Sequence, residues 1–158
     1  MKNKFKIKEK VTEIYIQSPK YGHFTVLIDS EDLNLVFNYS WCVAKQKNFY
    51  CISTKKPLIR LHRLIMSFPK NKVIDHKNHQ TLDNRKKNLR ICTKQQNNSN
   101  SRKQINNTSG FKGVYLQIIK RGNKIYKYWR SQIRHNNKTI YLGYFTDTEE
   151  GKIAAAKR

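Results

Sequence analysis

Apolar residues along this chain fall in short clusters separated by polar turns, and no apolar run exceeds a few residues. Residues 24–28 are β-rich. Ser30 follows as a candidate N-cap, and Glu31 and Asp32 place carboxylates where a helix start favours them, so the pattern predicts a brief helix over 33–37. Residues 41–44 and 49–53 are two more β-rich runs, with 45–48 as the turn of a hairpin. Beyond Pro57, the positions Leu58, Leu61, Leu64 and Ile65 take up helical spacing, and 67–71 is a connector. A further β-run ends at Asp75 and His76, a polar loop follows, and Asn88 leads into a second run through Leu89 to Cys92. Thr93 with Gln96 then forms a capping box that opens a helix carrying Asn97.

Residues 98–109 show no apolar periodicity, and a linker is placed at 101–107. Three β-rich runs come next, at 113–119, 126–134 and 138–145. Turns are expected at 121–124 and at Asn136 and Asn137, then a short helix capped by Thr146 or Asp147 and running out at Arg158. The fold class read from this pattern is α+β. It divides into a β-rich N-terminal segment at 1–57, a strand–strand–helix core at 58–100, the linker, and a three-stranded sheet plus helix at 108–158.

Charge changes the picture most. Among 158 residues, 33 are Lys or Arg and 10 are Asp or Glu, a net +23. The surplus is even: 11 basic against 5 acidic over 1–60, 11 against 2 over 61–107, and 11 against 3 over 108–158. A detachable basic tail would have concentrated it. Folded modules that each face a polyanion explain the distribution, and nucleic acid is that polyanion. A membrane span needs about 20 apolar residues and a secretory signal an apolar segment of about 7–15; neither pattern is present, and a soluble chain without membrane attachment is expected. Cys42, Cys51 and Cys92 form neither a disulfide framework nor a zinc knuckle. They suit a reducing compartment, cytoplasmic or nuclear, wherever the DNA lies.

The segment from Asp75 to Asn97 can do chemistry. A hairpin and a helix facing one another let an imidazole, a carboxylate and a carboxamide converge, a set that can hold one hard cation against a phosphate. Phosphodiester hydrolysis requires that a water lose a proton, that charge on the phosphorus be neutralised and that the departing 3′ oxygen be stabilised. A neutral histidine, with an ordinary pKa of about 6.5, and one divalent ion cover these needs. Magnesium and manganese take oxygen ligands and keep positions open for substrate. Asp75 and the amide oxygen of Asn97 are such ligands, and the scarcity of nearby carboxylates disfavours a two-metal site.

His76, Asn88 twelve residues on, and Asn97 nine after that, with Asp75 in front, resemble the HNH endonucleases of the homing branch, whose last signature position is Asn. Leu61 to Ile65 and Leu82, Asp83, Asn84, Arg85 extend the likeness over about 58–100. The resemblance implies a ββα-metal nuclease core with His76 as general base, and Asp75 and Asn97 as ligands of one Mg2+ or Mn2+ per active site. Asn88 would act across the hairpin to orient His76. Lys86, Lys87 and Arg90 are expected to form a solvated or phosphate-facing rim, with Arg85, Lys87 and Arg90 as its DNA contacts; His62 is expected to pack or face phosphate, and His79 lies at a variable loop position. Adjacent strand residues point to opposite faces, so Asp75 and His76 can both serve only where the strand ends or bends.

A second likeness begins at Thr108-Ser109-Gly110-Phe111-Lys112-Gly113-Val114-Tyr115 and continues through Trp129 to Arg134 and Tyr141 to Phe145; it resembles AP2-type DNA-binding domains. Such a domain lays a three-stranded sheet in the major groove and backs it with a helix. The resemblance implies DNA contacts from Lys112, Tyr115, Gln117, Gln132, Arg134, Thr139 and Tyr141, and a sheet-to-helix core of Trp129, Ile133, Leu142 and Phe145. Plant members carry Arg where Lys112, Tyr115 and Gln117 stand, so their GC-rich target is not implied. The combined expectation is a metal-dependent DNA endonuclease of mobile-element type, nicking or cutting both strands, with double-stranded DNA as partner, no protein partner, and a monomeric chain. The alternative is a non-catalytic DNA-binding regulator with a vestigial core. An RNA-binding protein would want aromatic RNP motifs or a GXXG clamp, which the sequence lacks.

Overall fold

The computed structural model describes residues 3–46, 49–135 and 138–157. Part of the turn expected at 45–48, the whole turn expected at Asn136 and Asn137, and the helix end at Arg158 lie outside the described residues. The architecture is mixed α+β with several small sheets, and it divides into two compact units, residues 1–100 and 101–158. Among the described residues no helix is long and apolar enough to cross a membrane.

The first unit opens with an antiparallel meander of β1 (Lys4–Lys8), β2 (Val11–Ser18) and β3 (Gly22–Asp29). Strand alternation turns Thr12, Ile14 and Ile16 inward from β2 and Val26 and Ile28 from β3, while Glu13, Tyr15 and Gln17 face out. A 3-10 turn (Ser30–Asp32) leads into α1 (Leu33–Val36). Ser30 does not cap it. Its hydroxyl shares a 3.0 Å hydrogen bond with Thr12, and its amide donates to the Lys10 carbonyl, so the residue is held by β2 instead. The indole of Trp41 donates to the Val36 carbonyl at 3.1 Å and closes the helix. The hairpin β4 (Cys42–Gln46) and β5 (Phe49–Ser53) and the helix α2 (Leu61–Ile65) complete the frame.

One hydrophobic core runs through the whole unit. Ile14, Val26, Ile28 and Val36 meet Leu61, Leu64, Ile65, Ile74 and Leu89 in a continuous buried cluster. A boundary at 57/58 therefore passes through shared packing, in which each buried aliphatic side chain contributes roughly 1.5–3 kcal/mol. On this frame sit β6 (Val73–His76) and β7 (Leu89–Cys92), an antiparallel pair, followed by α3 (Lys94–Asn100), which packs on β6. The capping box forms as its spacing predicts: the Thr93 amide donates to the Gln96 side chain at 2.9 Å and the Gln96 amide to the Thr93 hydroxyl at 3.1 Å.

The connection from β6 to β7 is long, and it is strapped to β3. The Leu27 amide donates to the Leu82 carbonyl at 2.9 Å, the Asn84 amide to the Leu27 carbonyl at 2.8 Å, and the Lys86 amide to the Asp29 carboxylate at 2.7 Å. The ammonium of Lys86 adds ion pairs to Glu31 and Asp32.

The second unit is the sheet β8 (Val114–Arg121), β9 (Lys124–His135) and β10 (Lys138–Thr146), with β9 central, and α4 (Glu149–Ala156) packed across one face. Gly113 enters β8 with φ +77°, and a Cβ there would come within 2.5 Å of the Gln132 carbonyl oxygen. Helix α4 is capped by Thr148, whose hydroxyl accepts from the Gly151 amide at 3.0 Å; Thr146, one of the two expected caps, is still paired with Tyr128 in the sheet. The buried interior is small and centres on Val114, Ser131 and Ala155. Trp129, Leu142 and Phe145 are half-buried, whereas Ile133, expected in this core, is half exposed near the far end of β9. Residues 101–111 fold on themselves, with Asn107 and Ser109 bonding the Phe111 carbonyl.

Candidate active site

Asp75 pairs with Arg90 in the hairpin register and His76 with Leu89. As consecutive strand residues they reach different neighbours, and both are buried, at 8% and 7% exposure. On the α3 side, one Asp75 carboxylate oxygen, Oδ2, accepts from Arg90 Nε at 3.0 Å, Arg90 Nη2 at 2.7 Å and Asn100 Nδ2 at 2.9 Å. The imidazole of His76 meets the loop and α2: its Nε2 lies 3.3 Å from Asn84 Oδ1, and the His62 ring stands edge-on with centroids 5.3 Å apart.

Burial sets the charge of both rings. It pulls His76 below the ordinary histidine value, against the opposing pull of the Asn84 hydrogen bond and the Asp75 and Asp83 carboxylates. Burial also drives His62 down to about 3, helped by His76, Arg60 and Arg63. A neutral imidazole has one donor and one acceptor nitrogen. The Asn84 amide is oriented by its own Nδ2, which donates to the Thr81 carbonyl at 3.2 Å, so its oxygen faces His76. That arrangement puts the proton on Nε2 and leaves Nδ1 as the basic nitrogen.

Asn88 does not reach the ring. Its Nδ2 donates to the Asp83 carbonyl at 2.8 Å and its Oδ1 accepts from the Asn78 amide at 3.1 Å, so it clamps the loop between the strands. Asn97 is half-buried on α3, one turn before Asn100 and therefore on the same side of the helix. No bond joins it to Asp75 among the described residues. Of the expected rim, Arg85 is engaged in a fork with Asp83 at 2.7 Å through each of two nitrogens, and that guanidinium holds the Asp83 carboxyl below its usual range. Arg90 is tied to Asp75 with its side chain 40% exposed, and Lys87 is exposed. His79 sits in the loop at φ +63°, its amide bonded to the His76 carbonyl.

Asn84 was read from the sequence only as part of the run Leu82–Arg85, with no role of its own, and Asn100 was not singled out. Asn100 carries a usable signal, since it lies three residues after Asn97. For Asn84 the run gave a likeness but no role, because its position depends on β3, far away in the chain.

A divalent ion can be matched to this donor set. Among the described residues no three His, Cys, Asp or Glu side chains form a metal-binding group. Asp75 accepts from the Asn100 carboxamide of α3, and Asn97, on the same side of that helix, offers a carboxamide without a hydrogen-bond partner among the described residues. One carboxylate with neutral oxygens fits a hard ion held in part by its substrate. Arg90 now occupies part of the Asp75 valence and would have to yield.

In the second unit, the register aligns Tyr115 with Arg130, Tyr141 with Gln132 and Thr139 with Arg134. These residues and Gln117 share one sheet face, opposite the face on which Val114 and Ser131 are buried and Lys152 lies over the Trp129 ring. Lys112 precedes the sheet and donates to the Ser101 carbonyl at 2.7 Å.

A family model described as HNH endonuclease matches residues 61–99. The match begins at α2 and takes in β6, the strapped loop, β7 and most of α3, and it supports an HNH nuclease domain there. No curated protein and no solved structure matches the chain.

Proposed function

We propose that this chain is a metal-dependent DNA endonuclease of the homing or mobile-element type, acting as a monomer on double-stranded DNA. What supports the reading above all is that the HNH match falls on the hairpin where a buried, neutral imidazole and a carboxylate stand next to one another. In this reading His76 is the general base: Nδ1 takes the proton of the attacking water while Asn84 holds Nε2–H. Asp75 and Asn97 would hold one Mg2+ or Mn2+, which when bound supplies positive charge at the scissile phosphate and at the departing 3′ oxygen. Asn88 keeps the loop, and with it Asn84, in place. Lys87, Arg85 and a released Arg90 meet the phosphates, and residues 108–158 act as an AP2-like module whose open sheet face enters the major groove. The net charge of +23 favours phosphate contact throughout.

The test is incubation of the whole chain with supercoiled plasmid, with magnesium and with chelator. Nicked circles that require the metal are expected, since one active site serves one strand. Retarded plasmid with no cleavage in magnesium or manganese would instead favour the DNA-binding regulator.

A further inference from the structure

Arg85 and Arg90 beside the hairpin are bonded to carboxylates; among the described residues Arg130 is not. It sits in the middle of β9, the central strand of the second unit, on the face away from α4. Its guanidinium carbon lies 6.0 Å from the centre of the Tyr115 ring on β8 and 5.4 Å from that of Tyr141 on β10. The β10 irregularity between Tyr141 and Gly143 puts Tyr141 and Tyr144 on this same face, so that Tyr144 pairs directly with Arg130 while Tyr141 reaches it diagonally. Among the described residues no carboxylate pairs with Arg130, and its buried Nε has no hydrogen-bond partner; two residues on, the buried Oε1 of Gln132 has none either.

A surface arginine ordinarily samples many rotamers. Two flanking rings hold this one planar and limit its freedom, so the ordering cost of using its donors on a partner is already reduced. Phosphates line the rims of a groove, and a sheet lying in it brings them to its outer strands. The middle strand is nearest the base edges. There, the acceptor pair that matches a planar two-donor fork is guanine O6 and N7. We infer that Arg130, clamped by Tyr115 and Tyr141, reads one guanine of the DNA target through paired hydrogen bonds to O6 and N7. This rests on the proposed DNA-binding role of the same sheet, and it sets one base of a target the sequence left open.

The experiment starts from the whole chain and a pool of randomised duplexes. Wild-type protein should select sites with an invariant guanine, and Arg130→Met, which keeps the stem and loses every donor, should select sites degenerate at that position only. Replacing that guanine by 7-deazaguanine in a fixed duplex should weaken wild-type binding about tenfold and leave Arg130→Met unaffected. The base analogue tests unmodified protein, so a folding defect in the variant cannot imitate the result. Equal binding of guanine and 7-deazaguanine by wild type, or an identical selected site for the variant, overturns the assignment. If wild type binds duplex without any base preference, the inference fails and the nuclease reading stands. If it binds no duplex at all, the DNA-binding role of the sheet fails first.

Discussion

The two units treat their polar residues in opposite ways. In the first, Asp75, His76, Asn84 and Asn88 are all buried, at 8%, 7%, 1% and 6% exposure, and each is bonded to another part of the same unit. In the second, Tyr115, Tyr141 and Tyr144 stand 48%, 60% and 59% exposed around an arginine with no carboxylate. A group that must act on a proton needs a fixed direction and a fixed protonation state, and burial with satisfied hydrogen bonds supplies both. A group that reads a partner needs unused donors at a surface. In the proposed reading, the contrast separates a place for chemistry from a place for recognition.

The comparison breaks most visibly at His76. His76→Ala should lower metal-dependent nicking by about 10²–10⁴-fold, the usual contribution of a general base, while gel-shift affinity stays near wild type. Loss of binding along with cleavage would mean that the two roles are not separated. Asn84→Ala comes next: it removes a fully buried carboxamide and leaves the His76 proton without its acceptor, so unfolding stability should fall by about 1–3 kcal/mol. Denaturant titration gives that number, and nicking measured on the still-folded fraction should fall as well.

Acid should weaken the first unit through His62. Its folded pKa, about 3, lies below the unfolded value, so the unfolded chain binds the extra proton first and stability declines as pH falls below about 6.5. Thermal melts should lose up to about 2 kcal/mol between pH 6.5 and 5 from this group, and His62→Phe should flatten that slope. In the second unit, Arg134→Ala should reduce the slope of log affinity against log salt by about one, as expected for the loss of one phosphate contact. An unchanged slope would place Arg134 away from the backbone. The smallest effect is expected from Arg90→Gln: the pair with Asp75 is partly open to solvent, and its loss should cost about 0.5–1 kcal/mol in denaturant titration.

What could be read in advance was what local sequence decides. The Thr93–Gln96 capping box needs only two residues three apart, and the β6–β7 pair and the three strands of the second unit follow from short β-rich runs between turns. The caps at Ser30 and at Thr146 or Asp147 failed because several hydroxyls and carboxylates compete within a few residues, and strand pairing decides among them: Ser30 is drawn to Thr12, and Thr146 remains in β10. Asn84 stood in a recognised run, but its contact with His76 could not be read, since its position depends on Leu27, which lies 57 residues earlier. Asn88 matched in spacing, but its carboxamide bonds the Asn78 amide and the Asp83 carbonyl instead of the imidazole.

The strapped loop has one more consequence. Strands at the margin of a sheet expose unpaired amides and carbonyls that can recruit another chain, and residues 82–84 take up that margin of β3 at Leu27. The opposite margin, β1, carries Lys4, Lys6 and Lys8 at alternate positions, a row of like charges that repels a second copy. The same backbone bonds that seat the β6–β7 loop thus also cover part of the open margin of the meander. A substitution that loosens them should lower solubility and activity together.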